Sequence, residues 1–448
     1  MVDDPMVVGG VDRDAHLLLP DDARRVVVLG GADVAAGLRH TGRTVDDEAS
    51  GLQYDSAILV SPHRRAESLR AQISAADAVV RAGGALVVID RPRFAWPDLL
   101  GRRDRLSGRR FRHGGVSTGR VVKELARVRD VTATMLLSPH DGRYRQIVNT
   151  SAPRASRRLA CDALWQEANL PVAGLGRMLA AAPPRLAAAI SPVVAVVAGA
   201  DPAMAAYPDR VAFLGSASSG AVSLVSPGAP TRVLHPDPSW SPDGMVAAAD
   251  ALRDAAVDGV RVADHRRRGD QLDVEWLDGP ALTGADGPRL AAALGTIHRR
   301  MVVDHRPLDE VVVAGPTPDA PRLIDDAVAP LSGAARQTLL EVDRRELVPV
   351  GWTHGDYGPR NARLRSDGVA LFDLEFAQVE GACGLDIGWL LLQPGVDVAT
   401  SRQAYEAAAG REVSRADVAL GLAVLTQRYG AEVASARWRR KSPELLRR

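Results

Sequence analysis

The sequence predicts a chain that is α/β in its first part and α+β in its second. Three observations carry this. Apolar runs alternate with helix-period segments from Arg24 to Asp90, the rhythm of a doubly wound parallel sheet. The apolar run Val193–Ala200 is followed by Asp201-Pro-Ala-Met-Ala-Ala-Tyr-Pro208, where a domain boundary is placed, giving 1–200 and 201–448. Beyond it, strand-like pairs come first and helix-period segments dominate the remainder.

The elements of the first part follow in order. Arg24-Arg-Val-Val-Val-Leu-Gly-Gly31 reads as a buried parallel strand running into a glycine turn. Ala32 to His40 is a short helix, and Tyr54-Asp-Ser-Ala-Ile-Leu-Val60 is a second strand. Arg64 to Ala82 has helical periodicity and stops at Gly83-Gly84, before the strand Ala85-Leu-Val-Val-Ile-Asp90. The arginines at 102–112 form a basic cluster, read as a solvated face. A helix is expected near Gly119–Arg129, and His140-Asp-Gly142 joins two strands, 133–137 and 144–149. Residues 153–182 read as helical up to Pro183-Pro184.

The order of these pieces is similar to the methyltransferase-type nucleotide fold. That likeness implies S-adenosylmethionine binding between residues 28 and 90. The first turn is Leu29-Gly-Gly-Ala-Asp33, without the Gly-x-Gly-x-Gly pattern, and the segment to Asp46-Asp47 is short for a unit that delivers an acid to a ribose. The reading favoured for 1–200 is a degenerate or purely structural Rossmann-like domain.

In the second part, Val211–Val225 reads as strand, small-residue turn, strand, with Gly215, Ser216, Ser218, Ser219 and Gly220 in the turn. Pro230–His235 is the next strand, Pro242–Val257 a helix, and Gln271–Gly279 a strand that ends at a turn. Arg289–Met301 is a helix; the chain is then loop-rich to Arg322 and helical between Ile324 and Arg345.

Composition bounds the function. With 46% hydrophobic but only 4% aromatic residues, sizeable cores must be filled by Ala, Val and Leu. A net charge of +1 gives no general attraction to nucleic acid or anionic membrane. No apolar run is long enough to span a bilayer. Cys161 and Cys383 lie far apart with no metal-ligand spacing, and the acidic N-terminus lacks a signal pattern. A reducing cytoplasm is the expected compartment.

The chemistry is concentrated in Gly351-Trp-Thr-His354-Gly-Asp356-Tyr-Gly-Pro-Arg360-Asn361 and Val369-Ala-Leu-Phe-Asp373-Leu-Glu375. Phosphoryl transfer from a nucleotide needs a carboxylate to take the proton of the attacking hydroxyl. It also needs an amide oxygen and a second carboxylate to hold Mg²⁺ against the phosphates. Asp356, Asn361 and Asp373 are those residue types in that order.

This stretch resembles the aminoglycoside phosphotransferase and choline kinase family, a branch of the protein-kinase-like fold. Its signature is His-Gly-Asp-x-x-x-x-Asn followed by an apolar-Asp-x-Asp/Glu segment. The resemblance implies a two-lobed domain, with a small lobe over 205–278 and a large lobe over 279–448. It implies ATP, or GTP, as co-substrate with Mg²⁺, and a small-molecule hydroxyl as acceptor. Asp356 would be the base, with His354 bracing its loop. Asn361 and Asp373 would bind metal, Glu375 would support it, and Asp386 would anchor the loop from the start of a buried helix. The turn Gly215–Gly220 would cover the phosphates, and the strand carrying Glu275 and Leu277 would be the hinge that meets the adenine. His298, in Leu294-Gly-Thr-Ile-His298, reads as packing or capping.

One departure stands out. The family's small-lobe lysine is missing, since no lysine occurs between Lys123 and Lys441. Arg232 occupies the corresponding strand, and Asp250 and Asp254, one helical turn apart, are candidate partners for it. Arginine keeps the charge but has a longer, planar head. Two alternatives follow: a nucleotide-binding pseudokinase or scaffold without turnover, and a fused methyltransferase–kinase. Asp304, Asp309 and Glu310 read as loose surface acids rather than a site for a cationic acceptor. Antibiotic, sugar, amino alcohol and other metabolite acceptors all stay open, as does the oligomeric state.

Overall fold

The computed structural model describes residues 15–39, 41–51, 53–60, 66–90, 117–138, 145–159, 181–190, 193–214, 222–234, 242–269, 271–313 and 319–445. The chain divides into two compact units, Met1–Trp240 and Ser241–Arg448.

The first unit is built on one sheet. Its strands are β1 (Arg25–Leu29), β2 (Thr44–Asp46), β3 (Tyr54–Val60), β4 (Val80–Asp90), β5 (Val131–Ser138), β6 (Arg145–Asn149), β7 (Val193–Gly199), β8 (Val211–Leu214), β9 (Val222–Val225) and β10 (Thr231–Leu234). Its helices are α1 (Ala32–Arg39), α2 (Ala66–Val79), α3 (Thr118–Leu125) and α4 (Pro184–Ile190). The strand order is β2-β1-β3-β4-β7-β5-β6-β8-β9-β10. Among the described residues of this sheet, β2, β1, β3 and β4 pair in parallel. From β4 onward every pair is antiparallel, β4 with β7 and β5 with β7 first among them. The doubly wound expectation therefore describes one end of the sheet and not the rest. The apolar runs of β3 and β4 are nearly continuous because both faces are covered. Leu18, Leu38, Ile58 and Val87 pack on one side; Leu69, Ile73, Val121 and Leu86 pack on the other.

The expected boundary at 200/201 differs from the division at Trp240/Ser241. The reason is β8, which bonds along β6 from Arg145↔Leu214 to Val148↔Val211. Strands β8, β9 and β10 extend the first unit's sheet as an antiparallel run. The two glycines read as a helix stop, Gly83 and Gly84, lie inside β4, and α2 ends earlier at Val79. The Gly215–Gly220 turn lies outside the described residues.

The second unit holds β11 (Val260–Val262), β12 (His265–Arg268), β13 (Gln271–Val274), β14 (Val302–Pro307), β15 (Leu347–Thr353), β16 (Ala362–Arg365), β17 (Gly368–Leu371) and β18 (Gln378–Ala382). Its helices are α5 (Asp243–Asp254), α6 (Gly287–Met301), α7 (Ala320–Val328), α8 (Gly333–Leu340), α9 (Gly384–Leu391), α10 (Val398–Ala409), α11 (Arg415–Tyr429) and α12 (Ala431–Leu445). Two three-stranded sheets, β14-β15-β18 and β11-β17-β16, stand with a β12–β13 hairpin. The segment read as loop after Met301 contains β14, which pairs antiparallel with β15.

Helices α9 and α11 meet at backbone distance. A Cβ on Gly421 would lie 2.1 Å from the carbonyl carbon of Gly388, so only glycine permits this crossing. Trp352 on β15 is fully buried, and its indole N–H donates to the Ala248 carbonyl of α5 at 2.8 Å. These contacts fix α9 to α11 and β15 to α5, and the candidate site sits at the ends of β15, α9 and α11.

Candidate active site

β15 is buried from Val348 onward and delivers the chain to His354. There the backbone turns through Gly355, whose φ is +76°. A side chain at Gly355 would bring Cβ within 2.4 Å of the Phe376 carbonyl oxygen. The loop is anchored from below by Asp386, a fully buried carboxyl in the first turn of α9. Asp386 accepts from the His354 N–H at 2.6 Å and from the Gly355 N–H at 2.8 Å. Burial pushes its acid up to about 7, the two N–H bonds pull it down, and the Asp356 charge adds to the rise.

His354 is buried, and burial lowers its pKa, so the ring is neutral. Nε2 lies 2.9 Å from the Phe372 carbonyl and must carry the proton that it donates there. Nδ1 is then the acceptor for the Asp356 N–H at 3.4 Å. The ring thus links the loop to the residue just before Asp373. A second link runs from the Phe372 N–H to the Asn361 carbonyl at 3.1 Å. Tyr357 is buried and donates its hydroxyl to the Leu290 carbonyl of α6 at 2.9 Å.

Asp356 and Asn361 meet directly. The Asn361 amide donates to the Asp356 carboxylate at 3.0 Å and to its backbone carbonyl at 2.9 Å. With its amide nitrogen so committed, Asn361 keeps Oδ1 for another partner. Asp373 follows β17 in the left-handed region at φ +64°, one of two non-glycine residues with positive φ among those described. Such a conformation costs about 1–2 kcal/mol, and strain of this kind collects at functional sites. Asp373 is solvent-accessible, although protein packs densely around it. Dense surroundings first, then the charges of Glu375 and Asp356, push its acid up to about 7. No hydrogen bond or ion pair to its side chain occurs among the described residues.

This donor set fits Mg²⁺. An amide oxygen and a carboxylate that other acids crowd are hard oxygen ligands suited to a cation. Among the described residues no three of His, Cys, Asp and Glu form a metal cluster. Magnesium sites of the nucleotide type need few protein ligands and complete the shell with phosphates and water.

The remaining predicted residues are dispersed. The Glu275 carboxylate accepts from Arg261 and from the Asp264 N–H, so its side chain braces the β12–β13 hairpin. Leu277 is buried in a small cluster with Ala263 and Ala370, against which Phe372 packs. The expected strand over 271–279 ends at Val274, so Glu275 and Leu277 lie on the irregular segment beyond β13, and the cluster joins that segment to the one carrying Asp373. Asp250 pairs with Arg253 of its own helix, and both Asp250 and Asp254 are exposed. The Arg232 guanidinium lies 6.0 Å from the Tyr207 ring centroid, within the first unit. His298 is buried on α6, and its Nδ1 lies 2.8 Å from the Tyr405 hydroxyl, a packing contact away from the loop.

One residue at the site escaped sequence reasoning. Arg428, in the last turn of α11, pairs with Asp356 at 2.8 Å and donates to the Gly355 carbonyl at 2.9 Å. Its guanidinium lies 4.3 Å from the centroid of the Phe376 ring and 5.2 Å from that of Trp389. In sequence it ends the apolar run Leu420–Thr426 and reads as a charge at a helix C-terminus.

No family model and no curated protein matches the chain. Solved structures are similar to it over about half its length. One is a macrolide 2'-phosphotransferase from Brachybacterium faecium, 16% identical over 50% of this chain and 88% of that chain, with a TM-score of 0.31. Another is a choline/ethanolamine kinase family protein from Mesorhizobium loti, 13% identical over 52% of this chain and 81% of that chain, with a TM-score of 0.32. A third is a glucosamine kinase bound to glucosamine, ADP and inorganic phosphate, 16% identical over 50% of this chain and 79% of that chain, with a TM-score of 0.33. Among the described residues no helix is long and apolar enough to cross a membrane.

Proposed function

We propose that the protein is a phosphotransferase that moves the γ-phosphoryl of ATP, or GTP, to a hydroxyl of a small molecule. The observation that carries this is the joined pair Asp356 and Asn361, with the left-handed Asp373 stitched to the same loop through Phe372. Asp356 orients the acceptor hydroxyl and takes its proton as the new P–O bond forms and the bond to the β-phosphate oxygen breaks, releasing the nucleoside diphosphate. Asn361 and Asp373 would hold Mg²⁺, with Glu375 beside them. Bound Mg²⁺ supplies neutralisation of the phosphate charge. His354 and Asp386 keep the loop in place, so that most of the rate comes from positioning and electrostatics. The Gly215–Gly220 turn and Arg232 would meet the phosphates, and backbone groups near Glu275 and Leu277 the adenine.

The test is a mass-spectrometric search for products gaining one phosphate, with Mg-ATP and a panel of amino sugars, amino alcohols and macrolides. Asp356→Ala should abolish any transfer found while the chain still folds, with a melting temperature lowered by loss of the Arg428 and Asn361 contacts. Substantial residual transfer in that variant would overturn the assignment of the base.

A second reading, nucleotide binding without turnover, is favoured by the missing lysine between 124 and 440. It predicts a thermal shift with Mg-ATP and no phosphorylated product. For residues 1–200, the same proposal assigns a structural, Rossmann-like role without a cofactor, motivated by the Leu29–Asp33 turn. A thermal shift with S-adenosylmethionine would count against it.

A further inference from the structure

We propose that Arg428 is a positioning residue that fixes the carboxylate of Asp356, an inference that rests on the reading of Asp356 as the base. The two oxygens of Asp356 are held from opposite sources. The Arg428 guanidinium binds Oδ1 at 2.8 Å, and the Asn361 amide binds Oδ2 at 3.0 Å. Asn361 comes from the same loop, five residues on, and moves with it. Arg428 comes from α11, which the Gly388–Gly421 crossing locks against α9. Helix α9 also carries Asp386, the anchor of the loop backbone. The base is therefore referenced to a rigid helix pair through two separate arms. Asp386 fixes the backbone and Arg428 fixes the side chain.

The geometry is specific to a planar fork. One guanidinium nitrogen takes the carboxylate while another takes the Gly355 carbonyl at 2.9 Å, and the ring of Phe376 lies 4.3 Å from its centre. A lysine head can supply the charge but not both directed bonds and the stacked face. Arg428 is mostly enclosed, with 18% of its side chain exposed, and Asp356 is 30% exposed, so solvent screens the pair only in part. The placement also balances charge. Asp356, Asp373, Glu375 and Asp386 crowd the site with carboxyls, and Arg428 is the cation whose field reaches both Asp373 and Asp386.

The test compares wild type, R428M and R428K by crystal structure and by kinetics. Turnover is read as phosphate released from Mg-ATP with water as acceptor, and nucleotide affinity by titration with fluorescent MANT-ADP. The expectation for R428M is a fall in kcat of about a hundredfold, the scale of a misplaced reacting group, with MANT-ADP affinity unchanged. R428K should recover only part of that loss. In the R428M crystal structure the Asp356 carboxylate should leave the Asn361 amide. Unchanged kcat, or affinity and kcat lost together in both variants, would overturn the inference. If the wild type releases no phosphate and phosphorylates nothing in the acceptor panel above, the phosphotransferase reading fails, and the crystal structure alone decides the positioning role. A carboxylate still on Asn361 in R428M then refutes it. If R428M does not fold, R428K carries the same two measurements, with a smaller loss of kcat and a displaced carboxylate expected; the absence of both changes in R428K refutes the inference.

Discussion

Asp386→Ala isolates the anchor of the loop from His354 to Asn361. The side chain is fully buried and satisfies two backbone donors, the N–H groups of His354 and Gly355, at 2.6 and 2.8 Å. Alanine leaves both donors buried without a partner. Each such group costs about 1–3 kcal/mol, so the second unit should lose about 2–6 kcal/mol. The measurement is urea unfolding followed by tryptophan fluorescence, since Trp352 and Trp389 are buried close by in the same unit. The pH dependence has a definite sign. Burial raises the Asp386 acid to about 7 in the folded state, against about 3.9 in an unfolded chain. The folded protein holds this proton more tightly, so the contribution is complete below about pH 4 and is lost as pH rises through about 7. The gap between wild type and Asp386→Ala should therefore narrow as pH climbs from 5 to about 8. A loss below about 1 kcal/mol, or a gap that widens with pH, would refute the reasoning.

Gly355→Ala places a Cβ in the left-handed region, 2.4 Å from the Phe376 carbonyl oxygen. We expect about 2–4 kcal/mol of destabilisation by urea titration, with turnover falling because Asp356 is the next residue; an unchanged midpoint would contradict this. Arg232→Met tests whether this side chain replaces the absent lysine. Hydrogen bonds from a charged donor are worth about 1.5–3 kcal/mol, so Mg-ATP affinity measured by calorimetry should weaken roughly ten- to a hundredfold. Unaltered affinity would remove Arg232 from the nucleotide site.

The sequence by itself determined the local chemistry. Asp356 and Asn361 are five residues apart on one loop, and Asp373 follows on a short hairpin, β16–β17, so neighbours in sequence become neighbours in space. Asp386 was legible only through the family resemblance, since it lies 32 and 31 residues from the two N–H groups it accepts from. The parallel strands β1, β3 and β4 were legible from their unbroken apolar runs. Tertiary structure decided what depends on pairing between distant segments. Strand β8 has an ordinary hairpin sequence, and only its bonds to β6 put it in the first unit's sheet. Strand β14 has exposed, charged positions because it covers one edge of β15, so its sequence carries no apolar period. Arg428 is the clearest case. Its sequence context, the end of an apolar helix, explains a cation by the helix dipole alone. Its contact with Asp356 exists because Gly388 and Gly421 let two helices touch at the backbone, a condition that no local pattern encodes.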